Sequence, residues 1–196
     1  LIERLASWLG FSLLAKGLPA STLSPPYLYV GTFIAANVVF GTGYRYLQTG
    51  TIGFIENPFG LALPLGVAIA TIGIMYMRAA QQTAEEQILT KATVQHGFAE
   101  HRSTFSLRTK LVVYGTVVAG YFAYEVCVIG IGTLLQTQGP VLAVFYNLLV
   151  LPLCYIAVGV EFVLVYSGVH FLLPRKLKHA DLNLFFLDAR NMGGFQ

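Results

Sequence analysis

Two carboxylates, Glu125 and Glu161, stand alone in a stretch of hydrocarbon. Between Lys110 and Pro174 the chain carries no other Asp, Glu, Lys or Arg. An ionised acid in the middle of a bilayer costs about 2.5–3.5 kcal/mol even on insertion scales. Each must therefore hold a proton, pair with a partner or face water. Two such acids facing one another could share a proton or hold a small cation, which makes Glu125 and Glu161 the candidate proton- or cation-binding residues. The quieter alternative is a static bundle in which each acid hydrogen-bonds a tyrosine or a main-chain group. Tyr121, Tyr124, Tyr155 and Tyr166 are at hand for that.

Register decides between these readings. If the fourth span starts at Leu153, both acids lie roughly 12 Å below the outer boundary, at about 1.5 Å per residue. If it starts at Val141, Glu161 drops to the cytoplasmic edge, some 15 Å from Glu125. It is then an ordinary boundary residue.

No other grouping carries comparable chemistry. His96, Glu100 and His101 form H-x-x-x-E-H, which fits neither zinc-protease spacing and reads as a solvated helix end, so no metal site is expected. Cys127 and Cys154 lie in apolar runs without a CxxC spacing and read as small interface residues. Nucleotide-binding and nucleophile-elbow motifs are absent, so neither enzymatic activity nor a cofactor is expected. No basic cluster interleaved with aromatics marks a nucleic-acid partner.

The elements that must position the two acids follow from composition. Of 196 residues, 56% are hydrophobic and 11% charged, against about 25% charged in soluble domains. The chain reads as an all-α integral membrane protein, a four-span helical bundle in the lipid bilayer, with spans at about 27–46, 60–78, 111–135 and 153–173. Residues 1–26 read as an interfacial amphipathic helix and linker, with Leu1, Leu5, Trp8, Leu9 and Leu13 on one face. Asn37 reads as an interhelical hydrogen bond within the first span. The segment 79–110 reads as a cytoplasmic extension, helical at first and breaking near Gly97, and 175–196 as a basic cytoplasmic or interfacial tail.

The uncharged run from Val141 to Leu173 is too long for one upright span and too short for two. Pro152 offers a break, with 141–151 along the outer boundary and 153–173 crossing. A single tilted, kinked helix is the rival.

Two small-residue stripes, Ala62/Gly66/Ala70 and Gly115/Ala119/Ala123, are the helix-packing candidates, since small side chains let backbones approach closely. Arg and Lys concentrate between the second and third spans, after the fourth and before the first. The positive-inside rule thus places both ends of the chain in the cytoplasm, as four spans require.

Three functions fit such a bundle. One is a transport, channel or proton-linked component using Glu125 and Glu161. Another is a non-catalytic subunit of a larger membrane complex or homo-oligomer. The third is a sensor docking a cytoplasmic protein through 79–110.

Overall fold

The computed structural model describes residues 1–17, 24–52, 55, 58–91 and 105–172. The expected break near Gly97, the His96/Glu100/His101 group and the basic tail at 175–196 lie outside them. Among the described residues every regular element is a helix and there is no strand.

The chain opens with helix α1 (Ile2–Trp8), a corner at Gly10, and helix α2 (Phe11–Gly17). The sequence suggests one continuous amphipathic helix here. Gly10 instead adopts φ +84°, a conformation that glycine alone takes without steric cost, and it divides the run into two short helices. The apolar set divides with it: Leu1, Ile2, Leu5, Ala6 and Phe11 are buried, whereas Trp8, Leu9, Leu13 and Leu14 are exposed.

Helix α3 (Pro25–Thr49) begins with prolines in its first turn and ends at Gly50, at φ +72°. The Gly50 N–H closes on the Tyr46 carbonyl at 2.8 Å. This arrangement uses proline where an N–H has no helical partner and glycine where the chain must turn left-handed.

After a short 3-10 turn at Pro58–Leu61, helix α4 (Ala62–Lys91) continues without interruption past the end of its apolar portion. Pro64, Val67, Thr71 and Ile74 are buried, at the spacing of one helix face. The buried Thr71 hydroxyl donates back to the Val67 carbonyl at 2.8 Å, which satisfies it locally.

Helix α5 (Leu107–Ile129) is α-helical to Tyr124 and π-helical from Glu125. It stops at Gly130, φ +83°, whose N–H donates to the Glu125 carbonyl at 2.9 Å. The short helix α6 (Ile131–Gln138) follows, then a second corner at Gly139. A Cβ on Gly139 would lie 3.3 Å from the Tyr44 hydroxyl, and its φ is +76°, so both space and backbone select glycine there.

Helix α7 (Pro140–Leu172) is a single element of 33 residues. The break anticipated at Pro152 does not form. The stretch Phe145–Ile156 is wound as a π-helix with Pro152 inside it, so the wider turn takes up the ring and the missing N–H without ending the helix. Where a π stretch returns to α winding, a carbonyl is left without its helical donor, and neighbouring helices can supply one. Two tyrosines do so. Tyr29 of α3 donates to the Leu153 carbonyl, and Tyr114 of α5 donates to the Pro152 carbonyl at 3.1 Å. Each substitution removes one interhelical hydrogen bond, so Tyr29→Phe and Tyr114→Phe should each cost about 0.5–1.5 kcal/mol. Tyr29 should cost more, because it is fully buried and Tyr114 is not. Reversible unfolding in mixed detergent–SDS micelles measures both.

Among the described residues, three helices are long and apolar enough to cross a membrane: Ala62–Thr83 within α4, Leu107–Ile129 and Pro140–Leu172. Helix α3, which contains the expected first span, is not among them. Its Thr, Asn, Gly and Tyr residues and Arg45 dilute its hydrocarbon.

The chain divides into two compact units. The first, Leu1–Thr71 with Leu107–Glu161, holds α1 to α3, the start of α4, α5, α6 and most of α7. In the second, Ile72–Ser106 with Phe162–Gln196, the missing side chain of Gly73 admits the Phe162 ring at 3.4 Å. Phe162 stacks on Tyr166, and Tyr166 on His170 at 4.0 Å. The His170 Nδ1 is 3.1 Å from the Tyr166 carbonyl.

Candidate functional site

The polar groups of the first unit follow α7. Glu161, with no exposed surface, has Oε1 at 3.1 Å from Lys110 Nζ and Oε2 at 2.6 Å from the main-chain nitrogen of Leu1. Two turns above it lie the Pro152 and Leu153 carbonyls held by Tyr114 and Tyr29. Beside them, Asn37 of α3 donates to the Tyr155 hydroxyl at 2.8 Å, the interhelical bond its sequence position suggests. Higher still, the Tyr121 hydroxyl donates to Asn147 Oδ1 at 2.8 Å, and Asn147 Nδ2 donates to Gln138 Oε1 at 3.2 Å. Asn147 is buried, so this chain satisfies both ends of its amide.

These contacts set the register of α5 against α7. Ascending α5 through Lys110, Tyr114 and Tyr121 meets α7 at Glu161, Pro152 and Asn147 in descending order. The two run antiparallel, and the same register puts Glu125 level with about residue 143. Glu125 and Glu161 are therefore not brought together. The Glu125 side chain is fifteen residues above Lys110, or about 22 Å along the helix.

Glu125 has its own surroundings. It opens the π-helical turn before Gly130 and lies beside the Tyr121 hydroxyl and near Tyr146. Its Oε2 is shielded from solvent and has no hydrogen-bond partner among the described residues. The two acids thus differ: Glu161 has a cation against it, and Glu125 has hydroxyls nearby and one open lone-pair edge.

Of the small-residue stripes, Ala62, Gly66, Gly115, Ala119 and Ala123 are exposed and Ala70 is half-buried. A Cβ on Gly66 or Gly115 would meet nothing within 4 Å. The buried face of α4 at Pro64, Val67 and Thr71 is separate from its stripe.

Lys110 is the site residue that sequence reasoning missed. By sequence it belongs to the Arg and Lys residues between the second and third spans, and no signal in its immediate neighbourhood marks it as the partner of Glu161. Among the described residues no group of three or more His, Cys, Asp or Glu side chains could hold a metal ion. Comparison with protein-family models, with curated proteins and with solved structures found no match to this chain.

Proposed function

We propose that this chain is a multi-pass membrane component of the transport, channel or proton-linked kind, and that Glu125 is the group that takes up a proton or small cation. The membrane-capable helices give the setting. The observation that carries the reading is the Glu125 carboxyl oxygen, screened from water with no hydrogen-bond partner among the described residues. It sits where the helix changes winding and then stops at Gly130, and irregular backbone at membrane depth is tolerated where it lines protein or a cavity. The Tyr121–Asn147–Gln138 chain leads from its neighbourhood toward the Gly139 corner. Glu161, matched by Lys110, holds the bundle together and is not the transported charge's site. We further propose that α3 crosses as a fourth span, with both ends of the sequence cytoplasmic, and that the chain catalyses no covalent chemistry.

The test is cation- or pH-gradient-driven flux through the purified chain in liposomes. Glu125→Gln should abolish it while the protein still assembles. Flux equal to the parent's would end this reading.

A second reading is favoured by the open space over Gly66 and Gly115: a subunit whose stripes receive helices of another copy or another membrane protein. Gly115→Leu should then shift the detergent-solubilised chain from oligomer to monomer by size-exclusion chromatography with light scattering. An unchanged particle mass would argue for lipid on that face.

A further inference from the structure

The α1–α2 corner has two faces of different character. Inward, Leu1, Ile2, Leu5, Ala6 and Phe11 are buried. Phe11 meets Tyr29 edge-on, with ring centroids 5.5 Å apart. Tyr29 in turn is bonded to the Leu153 carbonyl, and the main-chain nitrogen of Leu1 reaches Glu161. The pair of helices therefore packs on α3, and its first residue lies against the Glu161 carboxylate of α7.

Outward, the exposed side chains nearest Gly10 are apolar: Trp8, Leu9, Leu13 and Leu14, of which Trp8 and Leu13 are 67% and 72% exposed. The exposed charged residues, Glu3, Arg4 and Lys16, stand farther along each arm. A hydrocarbon tip with an indole at its edge and a cation on each arm matches the depth profile of a headgroup boundary. The occupant is in reach, since the same chain carries three helices long and apolar enough to cross a bilayer.

We infer that α1–α2 is a lipid-seated strap: its Gly10 corner sits in the bilayer interface through Trp8, Leu9, Leu13 and Leu14, and its inner face keeps the Glu161–Lys110 pair closed to water. This does not depend on the role given to Glu125. Lipid contact and coverage of the carboxylate are then linked, because both use the same two rigid helices.

Trp8 is the sole tryptophan in the sequence, so intrinsic fluorescence of the unaltered protein reports on the corner alone. In phosphatidylcholine proteoliposomes, lipids brominated near the headgroup end of the acyl chain should quench it strongly and aqueous iodide weakly. The reverse pattern would overturn the lipid seat. Resistance to both quenchers would also overturn it, in favour of a protein partner on that face. Coverage is read separately, from modification of Glu161 by a water-soluble carbodiimide, as an amine adduct or as a Lys110 cross-link, followed by mass spectrometry. The parent should react little, and the exposed-face variant Leu13→Gln/Leu14→Gln should react several-fold more. Equal reaction in both would overturn the strap.

Discussion

Lys110→Met lowers the stability of the folded chain by about 3–5 kcal/mol, the cost of breaking a buried ion pair from one side. The carboxylate of Glu161 has no exposed surface, and the Lys110 side chain is 14% exposed. Methionine keeps the length and apolar stem of lysine, so what is lost is the charge that compensates the acid. The main-chain nitrogen of Leu1 stays as a donor, which holds the loss toward the lower end of that range. The double replacement Lys110→Met/Glu161→Leu removes both charges together and should recover most of the loss. Replacing a buried pair by well-packed apolar side chains is often neutral, or stabilising by about 1–4 kcal/mol. Reversible unfolding in SDS-containing micelles measures both variants against the parent. A loss below about 1 kcal/mol for Lys110→Met is the behaviour of a solvated surface pair, and would show that Glu161 draws its compensation from elsewhere.

The second large effect is functional and falls on the other acid. Glu125→Gln keeps the shape of the side chain and removes its ability to bear a proton or attract a cation. Because its nearby groups are the hydroxyls of Tyr121 and Tyr146, and its Oε2 bonds to nothing among the described residues, an amide there should leave assembly intact while ending ion-dependent flux. Glu125→Asp separates charge from reach, since it keeps the carboxyl and withdraws it by one methylene. Partial flux with Asp and none with Gln is the expected pattern. The stability of Glu125→Gln should stay within about 1 kcal/mol of the parent, the range for a hydrogen bond whose partners remain satisfied. If stability collapses along with flux, Glu125 is a packing residue like Glu161.

Much of the architecture is legible before any coordinates. Long apolar runs ending in charge mark the membrane-capable helices, because lipid tolerates little else. The proline pair that opens α3 and the glycine after it are visible as punctuation. The register between α5 and α7 is less accessible. Folding the two about Gly139 places residue 117 or so opposite Glu161, two turns from Lys110. The difference is taken up by α6 and the corner at Gly130, which resembles any other glycine in an apolar run. The winding of α7 is hidden for a similar reason. Proline in a helix reads as a break or a kink, and whether a wider turn can carry it depends on donors brought in by Tyr29 and Tyr114 from distant positions. The corner at Gly10 was concealed by the amphipathic period continuing across it.

The winding of α7 bears on where the protein can reside. Both legs of its hairpin are long: α5 with α6 runs from Leu107 to Gln138, and α7 from Pro140 to Leu172. Within the first unit the legs are bolted together by Lys110–Glu161, Tyr114–Pro152 and Tyr121–Asn147. One leg cannot lean or shorten without the other. A mismatch with a thin bilayer then falls on the lipid, which must stretch around the hairpin at a cost of fractions of a kcal/mol per Å. The expected result is readier insertion of the chain into long-chain than into short-chain phosphatidylcholine vesicles, with bilayer thickness acting as a mechanical load on the hairpin.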